Sequence, residues 1–204
     1  MGKLRVPLWK RFLDLTLSTG VLIVLSPLFA VIAVLIKLDS RGPVFFRQER
    51  FGHGLRTFLI YKFRTMVEDA PMKGGALTAS GDPRITRIGG FLRQTKLDEL
   101  PQLINVIRGE MTLVGPRPEV RRYVDLFRRD YEEILCIPPG ITDLASLKYS
   151  DESAALTLAS DPENEYITRV LPDKIMLAKE YVRRSSLGLD VSLILKTIKK
   201  IAVG

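Results

Sequence analysis

Apolar positions are unevenly spread along this chain. From Leu15 to Ile36 it reads LTLSTGVLIVLSPLFAVIAVLI, without a single charge. As an unbroken helix this run measures roughly 33 Å, close to the roughly 30 Å hydrocarbon core of a bilayer. One spanning helix is the default reading. Ser26-Pro27 argues against it, because Pro27 has no N–H to donate to the carbonyl of Ile23. That carbonyl then needs another partner, for which the Ser26 hydroxyl is a candidate. A break there leaves two arms of about ten residues, each reaching roughly 15 Å, enough to meet the midplane and return. Both flanks are basic: Lys3, Arg5, Lys10 and Arg11 before, Lys37, Arg41, Arg47 and Arg50 after. The Lys/Arg bias that orients a spanning helix therefore selects neither side. On these residues a kinked spanning helix, a re-entrant hairpin and a buried segment all stay open. A cleaved signal is disfavoured by the internal proline and the lack of an A-x-A site.

Beyond Lys37 the pattern is that of a water-soluble domain. Arg41-Gly42-Pro43 and Phe51-Gly52-His53-Gly54 are turn strings. Between and after them, Val44-Phe45-Phe46 and Thr57–Phe63 (TFLIYKF) have strand composition, so a β-hairpin over about 44–64 is expected. Residues 69–83 are rich in Gly, Ala, Pro and Asp and read as a loop. Helices are expected over 84–95, from Leu100-Pro101 onward with proline in the first turn, and over 118–134 up to Pro138-Pro139-Gly140. Near the end, Val191, Ile194, Leu195, Ile198, Ile201 and Ala202 share one helical face, with Lys196, Lys199 and Lys200 on the other. Such a helix either packs on the core or lies in a membrane interface.

Composition narrows the chemistry. The chain has 204 residues, suited to one ordinary domain. Its mean hydropathy is +0.10 although 26% of residues are charged, so the apolar residues are concentrated. A single cysteine, Cys136, excludes an intramolecular disulfide and a cysteine-rich zinc site. A single histidine, His53, excludes a histidine-cluster metal site, and its Gly-His-Gly setting reads as a turn. Cys136 lies in an apolar stretch and reads as packing. The net charge of +8 points to anionic partners.

The densest chemical string is RQTKLDELPQLINVIRGEMTLVGPRP, Arg93 to Pro118. Asp98 and Glu99 are adjacent carboxylates just before a helix start, where outward N–H groups favour anions. Each raises the other's pKa unless cations or a metal compensate. Arg93 and Lys96 are close by in sequence. Arg117 lies between two prolines, which suits a preorganised phosphate clamp. An acidic first turn can equally be a mere complement to a helix dipole.

Taken together, these strings resemble the small monotopic phosphoglycosyl transferases, the bacterial sugar transferases that start glycan assembly on polyprenyl phosphate. The resemblance runs over nearly the whole chain. It includes Lys10-Arg11 with Asp14, the Ser26-Pro27 pair, RGPVFFRQERFG (41–52), YKFRTM (61–66), DPRITRIGG through GPRP (82–118), PPGIT (138–142) and the helix over 188–198.

The resemblance implies an α+β fold. A re-entrant anchor at 1–38, broken at Ser26 and Pro27, would carry a small mainly helical catalytic domain at 39–204. That domain would hold a short β-hairpin and interfacial amphipathic helices. It implies transfer of a phosphosugar from a UDP-sugar to polyprenyl (undecaprenyl) phosphate, with release of UMP, at the cytoplasmic face of the bacterial inner membrane. Asp98 would attack the β-phosphorus and carry a covalent phosphosugar, and Glu99 would help deprotonate the incoming lipid phosphate. Mg²⁺ would be held by Asp98 and Glu99, with phosphate contacts from Arg93 and Arg117 and support from Lys62 and Arg64. No nucleic-acid partner is implied, and self-association is compatible. Asp143 stands where many relatives carry glycine, so its loop is a candidate determinant of the donor. Larger relatives carry more membrane helices and a further domain, so the chain is expected to be the bare catalytic module. The competing reading is a non-catalytic module that binds anionic lipid or nucleic acid.

Overall fold

The computed structural model describes residues 6–70, 81–149 and 161–203. Most of the expected 69–83 loop lies outside the described residues, as do Lys3, Arg5, residues 150–160 and the side chain of Ala202.

The apolar run forms the middle of one helix, α1 (Leu8–Asp39), and the helix continues through Pro27. The two arms expected from the Ser26-Pro27 pair are therefore parts of one element. The Ser26 hydroxyl donates to the Ile23 carbonyl at 2.8 Å, replacing the bond that Pro27 cannot make. Ile23 and Val24 are 68% and 75% exposed, so among the described residues this side of the centre of α1 is uncovered.

Both ends of α1, by contrast, are fastened to the same folded body. Lys10 Nζ donates to the Val114 carbonyl at 3.0 Å and pairs with the buried Asp190. Asp14 accepts the Thr112 hydroxyl at 2.7 Å and the Leu113 N–H at 3.0 Å. At the far end, Ile32 and Ile36 bury against Phe63 and Leu92. There Arg64 donates to the Ser40 carbonyl at 2.7 Å and caps the helix.

Strands β1 (Phe45–Phe51) and β2 (Thr57–Phe63) pair antiparallel from Phe45↔Phe63 to Phe51↔Thr57, which is the expected hairpin. His53 lies in its connecting turn. Helix α2 (Arg87–Gln94) is capped by Thr86, whose hydroxyl accepts the Gly89 N–H, and by Asp39, which accepts the Ile88 N–H. Helix α3 (Gln102–Arg108) follows the turn that carries Asp98 and Glu99.

The expected helix over 118–134 is two helices, α4 (Arg121–Leu126) and α5 (Arg128–Ile134). Phe127 breaks them at φ −120° and ψ 40°. Tyr123, Val124, Tyr131 and Ile134 all face one core cluster across the break.

A second sheet was not foreseen. Strands β3 (Thr112–Val114) and β4 (Gly140–Thr142) pair in parallel, with Thr112↔Gly140 and Val114↔Thr142 in register. Short helices α6 (Leu144–Lys148) and α7 (Pro162–Glu165) follow. A π-helical turn (Tyr166–Val170) leads into α8 (Leu171–Arg184), and α9 (Leu187–Val203) ends the chain.

On α9, Asp190 and Leu193 are buried, while Val191, Leu195, Ile198 and Ile201 remain 40–61% exposed. Of the expected apolar face, Ile194 packs on the core, while Val191, Leu195, Ile198 and Ile201 point away from it. The architecture is mixed α and β with one long apolar helix, which is compatible with membrane association.

Candidate active site

The site is built from the ends of short elements. Helix α2 stops at Thr95, and Lys96 reverses the chain in a left-handed conformation at φ 57° and ψ 13°. A 3₁₀ turn, Leu97–Glu99, then presents the two acids ahead of α3, rather than inside the first turn of that helix. Strand β2 supplies Lys62, and the turn after β3 supplies Arg117.

These pieces meet at Glu99. Lys62 Nζ donates to Glu99 Oε1 at 2.7 Å, and Arg117 Nη2 donates to the same oxygen at 2.5 Å. Arg117 Nη1 stands 3.4 Å from Oε2. Burial alone would raise the Glu99 pKa, but Arg117 and then Lys62 outweigh it and hold the carboxyl well below its ordinary range. Glu99 in turn raises the pKa of Arg117.

Asp98 has the opposite environment. It is only 8% exposed, and burial pushes its pKa up. Lys62, Arg93 and Lys96 pull it down, while the charge of Glu99 pushes it further up. Two adjacent carboxylates therefore have divergent acidities, the usual sign of divided chemical roles. Arg93 lies close by. Its Nε donates to the Thr65 hydroxyl at 2.9 Å, and burial lowers its pKa while the charges of Asp98 and Asp82 counter that.

Of the residues expected at the site, the structure brings Asp98, Glu99, Lys62, Arg93 and Arg117 together. Arg64 goes elsewhere. It is 5% exposed and its guanidinium is bound at the C-terminal end of α1. Asp143 is buried at the N-cap of α6, where it accepts the Ser146 N–H at 2.6 Å and the Arg117 N–H at 3.3 Å. It fixes the backbone beneath the Arg117 side chain.

Three neighbours were not singled out in the sequence: Thr65, Asp82 and Arg84. Arg84 grips Asp82 in a two-pronged ion pair, with contacts from 2.6 to 3.1 Å, and both lie within electrostatic reach of Arg93. The available signal was the DPR string, whose Asp-Pro-Arg spacing allows a local Asp–Arg pair.

Among the described residues, no group of three or more His, Cys, Asp or Glu side chains gathers to hold a metal unaided. The two carboxylates nevertheless fit Mg²⁺, which takes one or two carboxylates and completes its shell with phosphate oxygens and water. Asp98 is the better donor, because Oε1 of Glu99 already serves two cations.

A pH prediction follows from the Asp98 environment. If ionised Asp98 is the reacting form, the single-turnover rate of the reaction at this site rises with pH through a limb lying above the ordinary aspartate value. Lys62 pulls that value down, so Lys62→Met should move the limb to higher pH. Rapid-quench rates across the acidic range measure it; a limb that stays in place or moves down would remove Lys62 from the electrostatics of Asp98.

The site thus sets a buried carboxylate beside a second one clamped by Lys and Arg, on a body that also holds the long apolar helix α1. The chain belongs to the bacterial sugar transferase family, whose profile matches residues 5–204. It is 40% identical over 200 residues to the UDP-N-acetylgalactosamine-undecaprenyl-phosphate N-acetylgalactosaminephosphotransferase of Aeromonas hydrophila, covering 96% of this chain and 44% of that protein. It is 42% identical to the undecaprenyl-phosphate glucose phosphotransferase of Komagataeibacter xylinus, covering 94% of this chain and 35% of that protein. It is 36% identical to the UDP-glucose:undecaprenyl-phosphate glucose-1-phosphate transferase of Caulobacter vibrioides, covering 97% of this chain and 71% of that protein. The chain spans less than half the length of the first two.

Proposed function

We propose that this chain transfers a sugar 1-phosphate from a UDP-sugar to a polyprenyl phosphate such as undecaprenyl phosphate, giving a polyprenyl-diphosphate sugar and UMP. The observation that carries the reading is a buried Asp98 adjoining a Glu99 that orients Lys62 and Arg117. A module that only bound lipid or nucleic acid would gain nothing from burying a second acid there. The names of the relatives support the reaction class, and because those names differ in sugar, they leave the donor to experiment.

In the first half-reaction, a carboxylate oxygen of Asp98 attacks the sugar-bearing phosphorus of the donor. The bond to the bridging oxygen breaks, and UMP leaves with the electron pair. The product on the enzyme is an acyl phosphate carrying the sugar. In the second, an oxygen of the lipid phosphate attacks the same phosphorus and the Asp98 carboxylate is released. Carboxylates act as covalent nucleophiles at phosphorus in this way when nearby cations offset the repulsion between anions.

Lys62, Arg93 and Arg117 supply those cations. Incoming phosphates compete with Glu99 for Lys62 and Arg117. As these cations are drawn away, the pKa of Glu99 rises from its depressed value, which prepares Glu99 to accept a proton from the lipid phosphate. Mg²⁺, held by Asp98 and Glu99, would neutralise charge on the diphosphate.

Residues 1–38 serve in this reading as a re-entrant anchor for a catalytic domain at 39–204, on the cytoplasmic face of the bacterial inner membrane. The support lies in α1, whose two ends bond to one folded body while its apolar centre stays exposed. A straight spanning helix would place its ends on opposite faces of the bilayer, where one domain could not reach both. The exposed apolar face of α9 and its lysines suit the interface. Labels at both termini should be reachable from the cytoplasmic side of sealed cells; a terminus labelled only from outside would restore the spanning helix.

The reaction itself is tested by UMP release from a panel of UDP-sugars with undecaprenyl phosphate and Mg²⁺. Turnover of at least one donor, dependent on the acceptor, is expected. A purified, folded chain that turns over none would refute the assignment.

A further inference from the structure

Strand β2 presents two faces. Lys62 points to the acids, so the alternating residues Tyr61 and Phe63 lie on the other face, with their register partners Arg47 and Phe45. Phe63 stacks against Phe45 and meets Phe29 of α1 in a tilted ring contact, so this face belongs to the apolar helix. Next along it, Tyr61 is buried, and two exposed arginines converge on its ring. The guanidinium carbons of Arg47 and Arg108 each stand 5.0 Å from the ring centroid, so they are at most twice that distance apart. Arg108 also donates to the Tyr61 hydroxyl at 2.8 Å.

The surroundings preorganise this pair and leave its charge unmatched. Asn105 accepts the Tyr61 N–H at 3.0 Å and donates to the Leu59 carbonyl at 2.8 Å, which locks α3 to the strand edge. The nearest carboxylates in sequence and register are already engaged, Glu49 by Arg121 and Glu110 by Asn105. Among the described residues, neither Arg47 nor Arg108 forms an ion pair with a carboxylate. Arg11, from the first turns of α1, donates to the Val106 and Ile107 carbonyls just before Arg108. It immediately precedes Phe12, which is 73% exposed, and the uncharged run that begins at Leu15. The two arginines therefore lie at the level where a bilayer's phosphates would be, beside the base of its apolar anchor.

We propose that Arg47, Tyr61 and Arg108 form a binding site for the phosphodiester headgroup of an anionic membrane lipid, on the face of β2 opposite the acids. The inference rests on the membrane seating of α1 described above. Two guanidinium groups held over one buried ring offer paired donors to phosphate oxygens with little ordering left to do. The aromatic ring keeps the two like charges in place without neutralising them. Because Lys62 projects from the opposite face of the same strand, the site is separate from the one that handles the donor.

The test uses the full chain in neutral detergent, titrated with short-chain phosphatidylglycerol, phosphatidylcholine or inorganic phosphate. Wild type should bind phosphatidylglycerol in preference to phosphatidylcholine. The double variant Arg47→Gln, Arg108→Gln should bind it roughly tenfold or more weakly. Arg47→Lys, Arg108→Lys should recover part of that loss. A matched variant with two other exposed arginines removed, Arg129→Gln and Arg183→Gln, should bind as wild type does, and thermal unfolding should report all of these as folded. Equal loss in the matched variant, or no preference for phosphatidylglycerol in wild type, would overturn the site. Competition by inorganic phosphate at concentrations comparable to the lipid would also overturn it, assigning the arginines to a free anion. Failure of the membrane reading would show separately, as a wild-type chain that stays in solution without detergent.

Discussion

Asp98→Asn is expected to abolish transfer, lowering turnover by roughly 10⁴-fold or more, the scale seen when a covalent nucleophile is removed. The change keeps the size of the side chain and removes its charge, so the fold should survive. Burial already opposes the charge of Asp98, whose carboxyl is raised above its ordinary pKa. Neutralising it should therefore cost little stability and can raise it slightly. Glu99→Gln should behave differently. It loses an ion that Lys62 and Arg117 both contact, so two cations are left without their partner. Loss of stability together with activity in Glu99→Gln, against loss of activity alone in Asp98→Asn, would separate the two roles. Steady-state UMP release and thermal unfolding measure the contrast. Residual turnover of Asp98→Asn within about tenfold of wild type would place the nucleophile elsewhere.

The second large effect concerns the sheet that was not foreseen. At Gly140 a β-carbon would come within 2.0 Å of the Gly115 nitrogen and 2.6 Å of its oxygen, and both are backbone atoms. Neither strand can yield, because Gly115 N–H donates to the Thr142 carbonyl and Gly140 N–H to the Pro116 carbonyl. Gly140→Ala is therefore expected to destabilise the fold by about 3 kcal/mol or more. For a domain of this size that lowers the thermal midpoint by roughly 6 °C or more. The clash falls on Gly115, two residues before Arg117, so activity should fall further than stability alone explains. Gly90→Ala serves as the control, since nothing lies within 4 Å of a β-carbon there. Thermal scans of both variants decide it; equal midpoints would mean that the two strands are not packed this closely.

How much of this was legible in the sequence differs from element to element. The hairpin over 44–64 was readable because Val44-Phe45-Phe46 and TFLIYKF are β-prone runs with a glycine turn between them. Arg117 stood out because two prolines bracket it, and the acids because they adjoin each other just ahead of Pro101, while their roles came from the family resemblance. The β3–β4 ladder was not, since three-residue strands are too short to display a period. Arg64 shows a different limit. Strand alternation puts residues 62 and 64 on the same face, which aligns both with the acids. The strand ends at Phe63, however, and the chain turns, so Arg64 reaches the carbonyls at the end of α1 instead. Asp143 was expected near the donor. Its side chain is buried at a helix cap, and its effect on the site passes through the Arg117 backbone. The C-terminal helix kept the amphipathic pattern read from its spacing, and Asp190 fixes which side of it meets the core. Pairing of that acid with Lys10 turns Leu193 inward and leaves Leu195, Ile198 and Ile201 exposed.

In the proposed reaction Asp98 carries the sugar phosphate between donor and acceptor. The most direct measurement is the intact mass of the chain after brief mixing with a UDP-sugar and Mg²⁺ in the absence of polyprenyl phosphate, followed by peptide mapping. A mass increase of one sugar phosphate is expected, located on the peptide containing Asp98. That adduct should disappear when the lipid acceptor is added and should be absent from Asp98→Asn. An unmodified chain that still transfers the phosphosugar as soon as both substrates are present would contradict it, and so would an adduct on any other residue.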